Sequence, residues 1–254
     1  MENQAHNETL NPSELGTKDY WDNLYDRELE NHQQDKDDEG TVWFSESNAE
    51  ETVLKQLDRL ADEGLLRRTA EGDSRASRFL DLGTGNGHML FCLRDTEDDE
   101  PWCGDMVGVD YSTASVQLAR RIAAQKQSDD ADEPLGPLRL ECWDLLSSPP
   151  GDWLEDGFDV VLDKGTFDAI SLMDSQSSDR HPCKIYREKV MPLVAPRSFL
   201  IVTSCNWTKG ELEKWLAPAG SELTLYAEAK YPTFTFGGQT GQSIVTVLFR
   251  RSAG

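Results

Sequence analysis

Asp81-Leu82-Gly83-Thr84-Gly85-Asn86-Gly87 follows directly on the apolar run Arg78-Phe79-Leu80 and carries the most legible chemistry in this 254-residue sequence. A strand that ends in an acid and three glycines spaced two apart lets backbone amides approach a small charged ligand with no Cβ atoms in the way. The spacing narrows the choice of ligand. A dinucleotide loop reads G-x-G-x-x-G and would need glycine at position 88, where His88 stands; the third glycine is Gly87 instead, which disfavours a nicotinamide oxidoreductase. The next apolar run, Met106-Val107-Gly108-Val109, ends in Asp110-Tyr111-Ser112. An ionised carboxylate closing the second strand of a βαβ unit faces the first loop and can accept hydrogen bonds from both hydroxyls of a ribose. A third run, residues 138–143, ends in Asp144-Leu145, an acceptor for an adenine amino group beside an apolar contact for its ring. Each acid alone also reads as a turn or helix-cap residue. Three at successive strand ends, beside a glycine loop, argue for a nucleoside site.

The strands that must present these residues read near 78–82, 105–110, 138–143, 158–163, 198–204, 222–229 and 243–250. Helical patterns follow the first two and recur at 185–194 and 209–216. This alternation predicts a mostly parallel sheet with helices on both faces and ligands bound beyond the carboxyl ends of the strands. The link at 231–238 has no room for a crossover helix, so the final strand is expected to be antiparallel. Tyr20, Trp21, Leu24 and Tyr25 recur at helical spacing, and Ser47-Asn48-Ala49-Glu50 reads as a capping box opening a helix with Val53, Leu57, Leu60 and Ala61 on one face. The expected organisation is a disordered tail over 1–15, a helical segment or lid over 16–66, and an α/β domain over 67–254.

Composition bounds the partners. With 47 acidic against 25 basic residues the net charge is −22, which repels a phosphate backbone and suits a basic protein or a cationic amine. Part of that acid lies in runs near 35–39, 97–100 and 129–133 that read as solvated loops. No apolar stretch approaches the ~20 residues of a membrane span, and the polar start Met1-Glu2-Asn3-Gln4 does not read as a signal peptide, so a cytoplasmic protein is expected. The five cysteines are scattered and lack a C-x-x-C pair, and the four histidines form no cluster in sequence; neither a disulfide framework nor a zinc site is suggested.

The blocks 163–172 (Asp163-Lys164-Gly165-Thr166-Phe167-Asp168-Ala169-Ile170-Ser171-Leu172), Ser204-Cys205-Asn206-Trp207-Thr208 and Phe234-Thr235-Phe236-Gly237-Gly238 resemble the eukaryotic protein-lysine methyltransferases that modify translation elongation factor 1-alpha. Residues 15–25 and Val42-Trp43-Phe44 resemble the same group, so the likeness runs from about residue 15 to the last strand. It implies a Rossmann-like, seven-stranded class I methyltransferase fold of α/β type, mostly parallel with an antiparallel last strand. The implied cofactor is S-adenosylmethionine, with no metal, and the implied partner is elongation factor 1-alpha as protein substrate, with no membrane or direct nucleic-acid contact and a monomeric state. Residues expected to hold the cofactor are Trp21, Tyr25, Asp81, Gly83, Gly85, Gly87, Asp110, Tyr111, Ser112, Asp144, Leu145 and Asp163. Residues expected at the acceptor are Asp163, Phe167, Asn206 and Trp207, with Trp43, Phe44 and Phe236 as further aromatic walls. Asp163 either offers its carboxylate to an amine or serves as a helix cap or a partner for Lys164. The aromatics either form a cage or belong to the core, and Tyr20, Trp21 and Tyr25 either close over the cofactor or pack as an ordinary helix. The rival functions are methylation of a small amine or metabolite and a non-catalytic protein that binds S-adenosylmethionine.

Overall fold

A computed structural model describes residues 9–94, 100–129, 136–174, 180–232, 234–236 and 239–253. The acidic runs at 95–99 and 130–135 and the dipeptide Gly237-Gly238 lie outside the described residues. The strands are β1 (Phe79–Leu82), β2 (Met106–Asp110), β3 (Leu138–Cys142), β4 (Phe158–Lys164), β5 (Val194–Ser204), β6 (Leu223–Glu228), β7 (Phe234–Phe236), β8 (Gln239–Gly241) and β9 (Val245–Arg251). The helices are α1 (Lys18–Gln34), α2 (Ala49–Asp62), α3 (His88–Cys92), α4 (Thr113–Asp129), α5 (Thr166–Ser171), α6 (Pro182–Val190) and α7 (Lys209–Leu216). Seven strands form one sheet in the order β3-β2-β1-β4-β5-β9-β6, and β7 pairs with β8 in a separate hairpin between β6 and β9. The pairs from β3 to β5 are parallel, whereas β9 runs antiparallel to both β5 and β6.

Period-two side-chain direction divides the apolar residues of the strands between two cores. Leu80, Leu82, Val107, Val109, Val161, Leu200 and Val202 pack on one face with Phe167 and Tyr186. Phe79, Met106, Val160, Leu162, Phe199 and Ile201 pack on the other with Val53, Leu57 and Leu60 of α2. Each such side chain, removed from water, contributes about 1.5–3 kcal/mol. Helix α1 covers the edge differently, with Tyr25 and Leu29 seated on Ala114, Leu118 and Ile122 of α4.

Two local expectations are corrected. Asn48, not Ser47, caps α2, in a left-handed conformation (φ 52°) and with no side-chain cap bond. Ser47 Oγ instead meets Ser243 Oγ at 3.1 Å and Glu50 turns toward charged partners, which outbid a backbone N–H for its carboxylate. The capping box actually present is Thr208 with Glu211 at the start of α7. Helix α6 also opens earlier than its apolar pattern suggests, because Pro182 occupies its first turn and His181 Nδ1 accepts the Cys183 N–H at 3.2 Å.

Strand β1 pairs with β2 on one side and β4 on the other, so the order reverses there. Such a switch point opens a crevice beyond the strand ends.

Candidate active site

A cavity of about 470 Å³ lies in that crevice, lined by the ends of β1 (Leu82, Gly83), β2 (Val109, Asp110) and β4 (Lys164, Gly165) and by residues 143–147 after β3. Its size suits a small-molecule site. The glycine loop turns with positive φ at Gly83 (62°), Gly85 (58°) and Gly87 (83°). At Gly85 the need for glycine is twofold, since a Cβ there would also fall 2.5 Å from Tyr25 Oη. Thr166 Oγ1 occupies the space a Gly83 Cβ would take and donates to Leu82 O at 2.7 Å, locking α5 against the end of β1.

Asp110 lines the cavity yet is only 5 % exposed. Its Oδ2 accepts the Gly85 N–H at 3.1 Å and its Oδ1 the Ser112 N–H at 2.9 Å, which leaves lone pairs on both oxygens for a ligand. Burial raises its pKa, with the two N–H bonds pulling the other way. Asp144 and Leu145 also line the cavity, but the Asp144 carboxylate is shared with its own turn, accepting from Leu146 N at 2.9 Å and Ser147 Oγ at 2.7 Å. Asp81 is not on the wall. It accepts from Thr84 Oγ1 at 2.7 Å, and burial pushes its pKa up to about 7, so it holds the loop from beneath. Gly85, Gly87 and Ser112 likewise shape the loop and its neighbour rather than line the cavity; Ser112 is fully buried and acts through its backbone N–H.

The acceptor end departs most from expectation. The carboxylate of Asp163, 1 % exposed, accepts from Phe167 N at 3.0 Å and from Tyr186 Oη at 2.5 Å, and burial pushes its pKa up to about 7. It does not line the cavity. The reason is strand parity: β4 continues to Lys164, so Asp163 follows Val161 onto the inner face. Phe167 and Trp207 are core residues as well, with ring centroids 6.2 Å apart and Phe167 packed 4.9 Å from Tyr186. The carboxylate that does reach the wall is Asp168, on α5. Its Oδ1 accepts from Ser204 Oγ and its Oδ2 from Cys205 N at 2.8 Å, and burial raises its pKa against those bonds. Cys205 and Asn206 complete this part of the wall.

Leu15, Gly16, Lys18, Trp21, Tyr25, Trp43 and Phe44 bring the N-terminal segment onto the same cavity. Trp21 donates Nε1–H to Leu15 O at 2.7 Å and lies 5.3 Å from Trp43 and 6.3 Å from Tyr25, centroid to centroid. Tyr111 is on the wall too, under the Lys18 ammonium at 4.9 Å. Lys164 Nζ donates to Trp43 O at 3.1 Å and pairs with Glu50 Oε1 at 3.4 Å. Glu50 Oε2 in turn meets His88 Nδ1 at 2.7 Å, and Cys92 Sγ lies 3.4 Å from that nitrogen, so His88 does sit in a cluster once the chain folds. Hydrogen bonds to Cys92 and Glu50 raise the His88 pKa to about 10. The side chain of Phe236 lies outside the described residues.

Comparison with known proteins now decides the family. Residues 73–251 match the family described as "Methyltransferase domain". Along 241 residues, 94 % of this chain and 96 % of the relative, the chain is 40 % identical to "Protein-lysine N-methyltransferase EFM4" of Saccharomyces cerevisiae. It is 35 % identical over 252 residues to "EEF1A lysine methyltransferase 2" of Danio rerio, covering 98 % of this chain and 93 % of that one. The chain belongs to this methyltransferase family. The fold agrees with the solved structure of magnesium protoporphyrin IX methyltransferase from Synechocystis PCC 6803 with bound SAM, at TM-score 0.53 and 15 % identity over 96 % of this chain and all of that one. The family uses S-adenosylmethionine, and the cavity fits it. Asp110 keeps two acceptor atoms for ribose hydroxyls, Trp143 and Leu145 offer apolar surface for adenine, and the Cβ-free loop leaves backbone room for the remainder.

Lys164 and Asp168 line the cavity although the strand-end pattern does not single them out. The available signal was alternation along β4: Asp163 shares a face with the buried Val161, which leaves the next acid, on the following helix, to face the cavity.

Proposed function

We propose that this chain transfers the methyl group of S-adenosylmethionine to a lysine of translation elongation factor 1-alpha, in the cytoplasm. Support for the substrate comes from the relatives, one named a protein-lysine N-methyltransferase and one an EEF1A lysine methyltransferase, aligned over nearly the whole chain. The observation that carries the chemistry is the buried carboxylate of Asp168 on the cavity wall beside Asn206.

The donor supplies an already activated methyl on a sulfonium, so the protein must chiefly align an amine with it and see that the amine is neutral. A free lysine, with a pKa near 10.4, is almost wholly protonated at pH 7. Asp168 pairs with the incoming ammonium, and its raised pKa makes it the stronger acceptor when the proton leaves. Ser204 Oγ–H and Cys205 N–H fix the orientation of that carboxylate. Asp163 is a positioning residue in this reading: it caps the start of α5, the helix that carries Asp168. Residues 16–66 serve as a cover, since Trp21, Tyr25, Trp43 and Phe44 reach the cavity from them. A single chain contains every group named here.

The test is to incubate the purified chain with labelled S-adenosylmethionine and an extract of cells lacking it, then identify the labelled protein. A single labelled band that is elongation factor 1-alpha supports the proposal. Label in free amines, or no transfer at all, would favour the two rival functions instead.

A further inference from the structure

Glu50, His88 and Cys92 bring a carboxylate oxygen, an imidazole nitrogen and a sulfur to within 4.8 Å of one another. The three come from two elements. His88 and Cys92 stand four apart on α3 and so share one face, and Glu50 enters from the first turn of α2. The separations are 2.7 Å from Oε2 to Nδ1, 3.4 Å from Sγ to Nδ1 and 4.0 Å from Sγ to Oε2.

We propose that this trio is a Zn²⁺ site. With metal distances of about 2.0–2.1 Å to nitrogen, 2.0–2.2 Å to oxygen and 2.3 Å to sulfur, the edges of a tetrahedron fall at about 3.3–3.6 Å. The nitrogen–sulfur edge already has that length. The other two reach it if Glu50 moves about half an ångström toward the sulfur and away from the imidazole. A thiolate, an imidazole and a carboxylate select zinc over the hard ions Mg²⁺ and Ca²⁺. One thiolate and one carboxylate also neutralise the ion's charge.

The surroundings are those of a supported ligand set. Glu50 Oε2 faces the trio while Oε1 faces the Lys164 ammonium at 3.4 Å, so the ligating carboxylate is oriented by a neighbour outside the set. The Glu50 side chain is 12 % exposed and that of His88 32 %, which leaves a solvent path and a fourth position for water. Because α2 belongs to the N-terminal segment and α3 begins at the end of the glycine loop, bound zinc would staple the cover to the loop that shapes the cofactor cavity. The site is independent of which protein is methylated.

Titration of the full, chelator-treated chain with Co²⁺ tests it. The expected result is one Co²⁺ per chain with a thiolate-to-cobalt charge-transfer band in the near ultraviolet, displaced by Zn²⁺ and not by the same concentration of Mg²⁺. The band vanishes in Cys92→Ser, and His88→Ala weakens binding at least tenfold. At a hundredfold excess over Kd, zinc raises the Tm of the wild-type chain by roughly 5–10 °C and leaves that of Cys92→Ser unmoved. Absence of the band, or its survival in a Cys92→Ser chain whose circular dichroism and metal-free Tm match the wild type, overturns the proposal.

Discussion

At Asp110 each carboxylate oxygen already accepts a backbone N–H, one from the glycine loop and one from Ser112, so a single side chain both shapes the cavity and faces its ligand. Asp110→Ala is therefore expected to weaken cofactor affinity by at least about a hundredfold, from two lost charge-assisted bonds, and to lower stability by about 1–3 kcal/mol. Calorimetric titration with S-adenosylmethionine and a denaturant melt read the two effects separately; unchanged affinity would move the ribose contact elsewhere. Asp168→Asn keeps the shape and removes the charge. Turnover should fall by roughly one to three orders of magnitude, or about 1.4–4 kcal/mol of barrier, while cofactor affinity stays within a few-fold. Equal turnover in a single-turnover assay would remove Asp168 from the chemistry. Asp163 differs because its pKa of about 7 in the fold lies above its value of 3.8 in the open chain. The folded state then binds the extra proton between these values, so this group's stabilisation is complete below the lower pKa and is lost as pH rises through about 7. Urea melts at pH 5 and pH 8 should show a smaller loss for Asp163→Asn than for the wild type; an identical loss would mean that Asp163 titrates normally.

The elements work together through close approach. Gly85 lets α1 lay Tyr25 over the loop, and Gly85→Ala places a methyl 2.5 Å from the Tyr25 hydroxyl at a φ of 58°. That variant should lose about 1–3 kcal/mol of stability and bind the donor more weakly. Adding Tyr25→Phe should restore part of both, because it removes the oxygen in the way, and a double variant no better than the single one would contradict the contact. Much of the sheet was readable in the sequence, since strands such as β1, β2 and β4 are apolar runs and acids at the ends of the first four mark the carboxyl edge. What escaped such reading depends on parity and on distant pairing. The direction of the last residues of β4 decides whether Asp163 or Asp168 meets the cavity, and reading the strand end as a cavity edge misses that Asp163 sits on the Val161 face. The cluster of Glu50 with His88 and Cys92 joins residues about 40 positions apart, and the Lys164–Glu50 pair spans more than a hundred. Aromatic residues were ambiguous for a different reason: Phe167 and Trp207 entered the core while Trp21, Trp43 and Phe44 lined the cavity, and composition alone does not separate the two fates.

At the scale of the whole molecule the net charge of −22 favours encounter with a basic partner. If a basic protein is the substrate, raising salt from about 50 to 300 mM shortens the Debye length from roughly 14 to 6 Å and should slow association more than it changes dissociation, which stopped-flow binding would resolve. Among the described residues no helix is long and apolar enough to cross a membrane. The folded chain thus combines an acidic surface, a cavity at the switch point of the sheet and a buried carboxylate on that cavity's wall. Mass spectrometry of elongation factor 1-alpha, purified from cells with and without this chain and then incubated with the chain and S-adenosylmethionine, decides whether this factor is the substrate. One lysine is expected to be methylated only when the chain is present, and to be restored in vitro by the wild type but not by Asp168→Asn. A factor modified identically in both cell lines and left unchanged by the purified chain would contradict it.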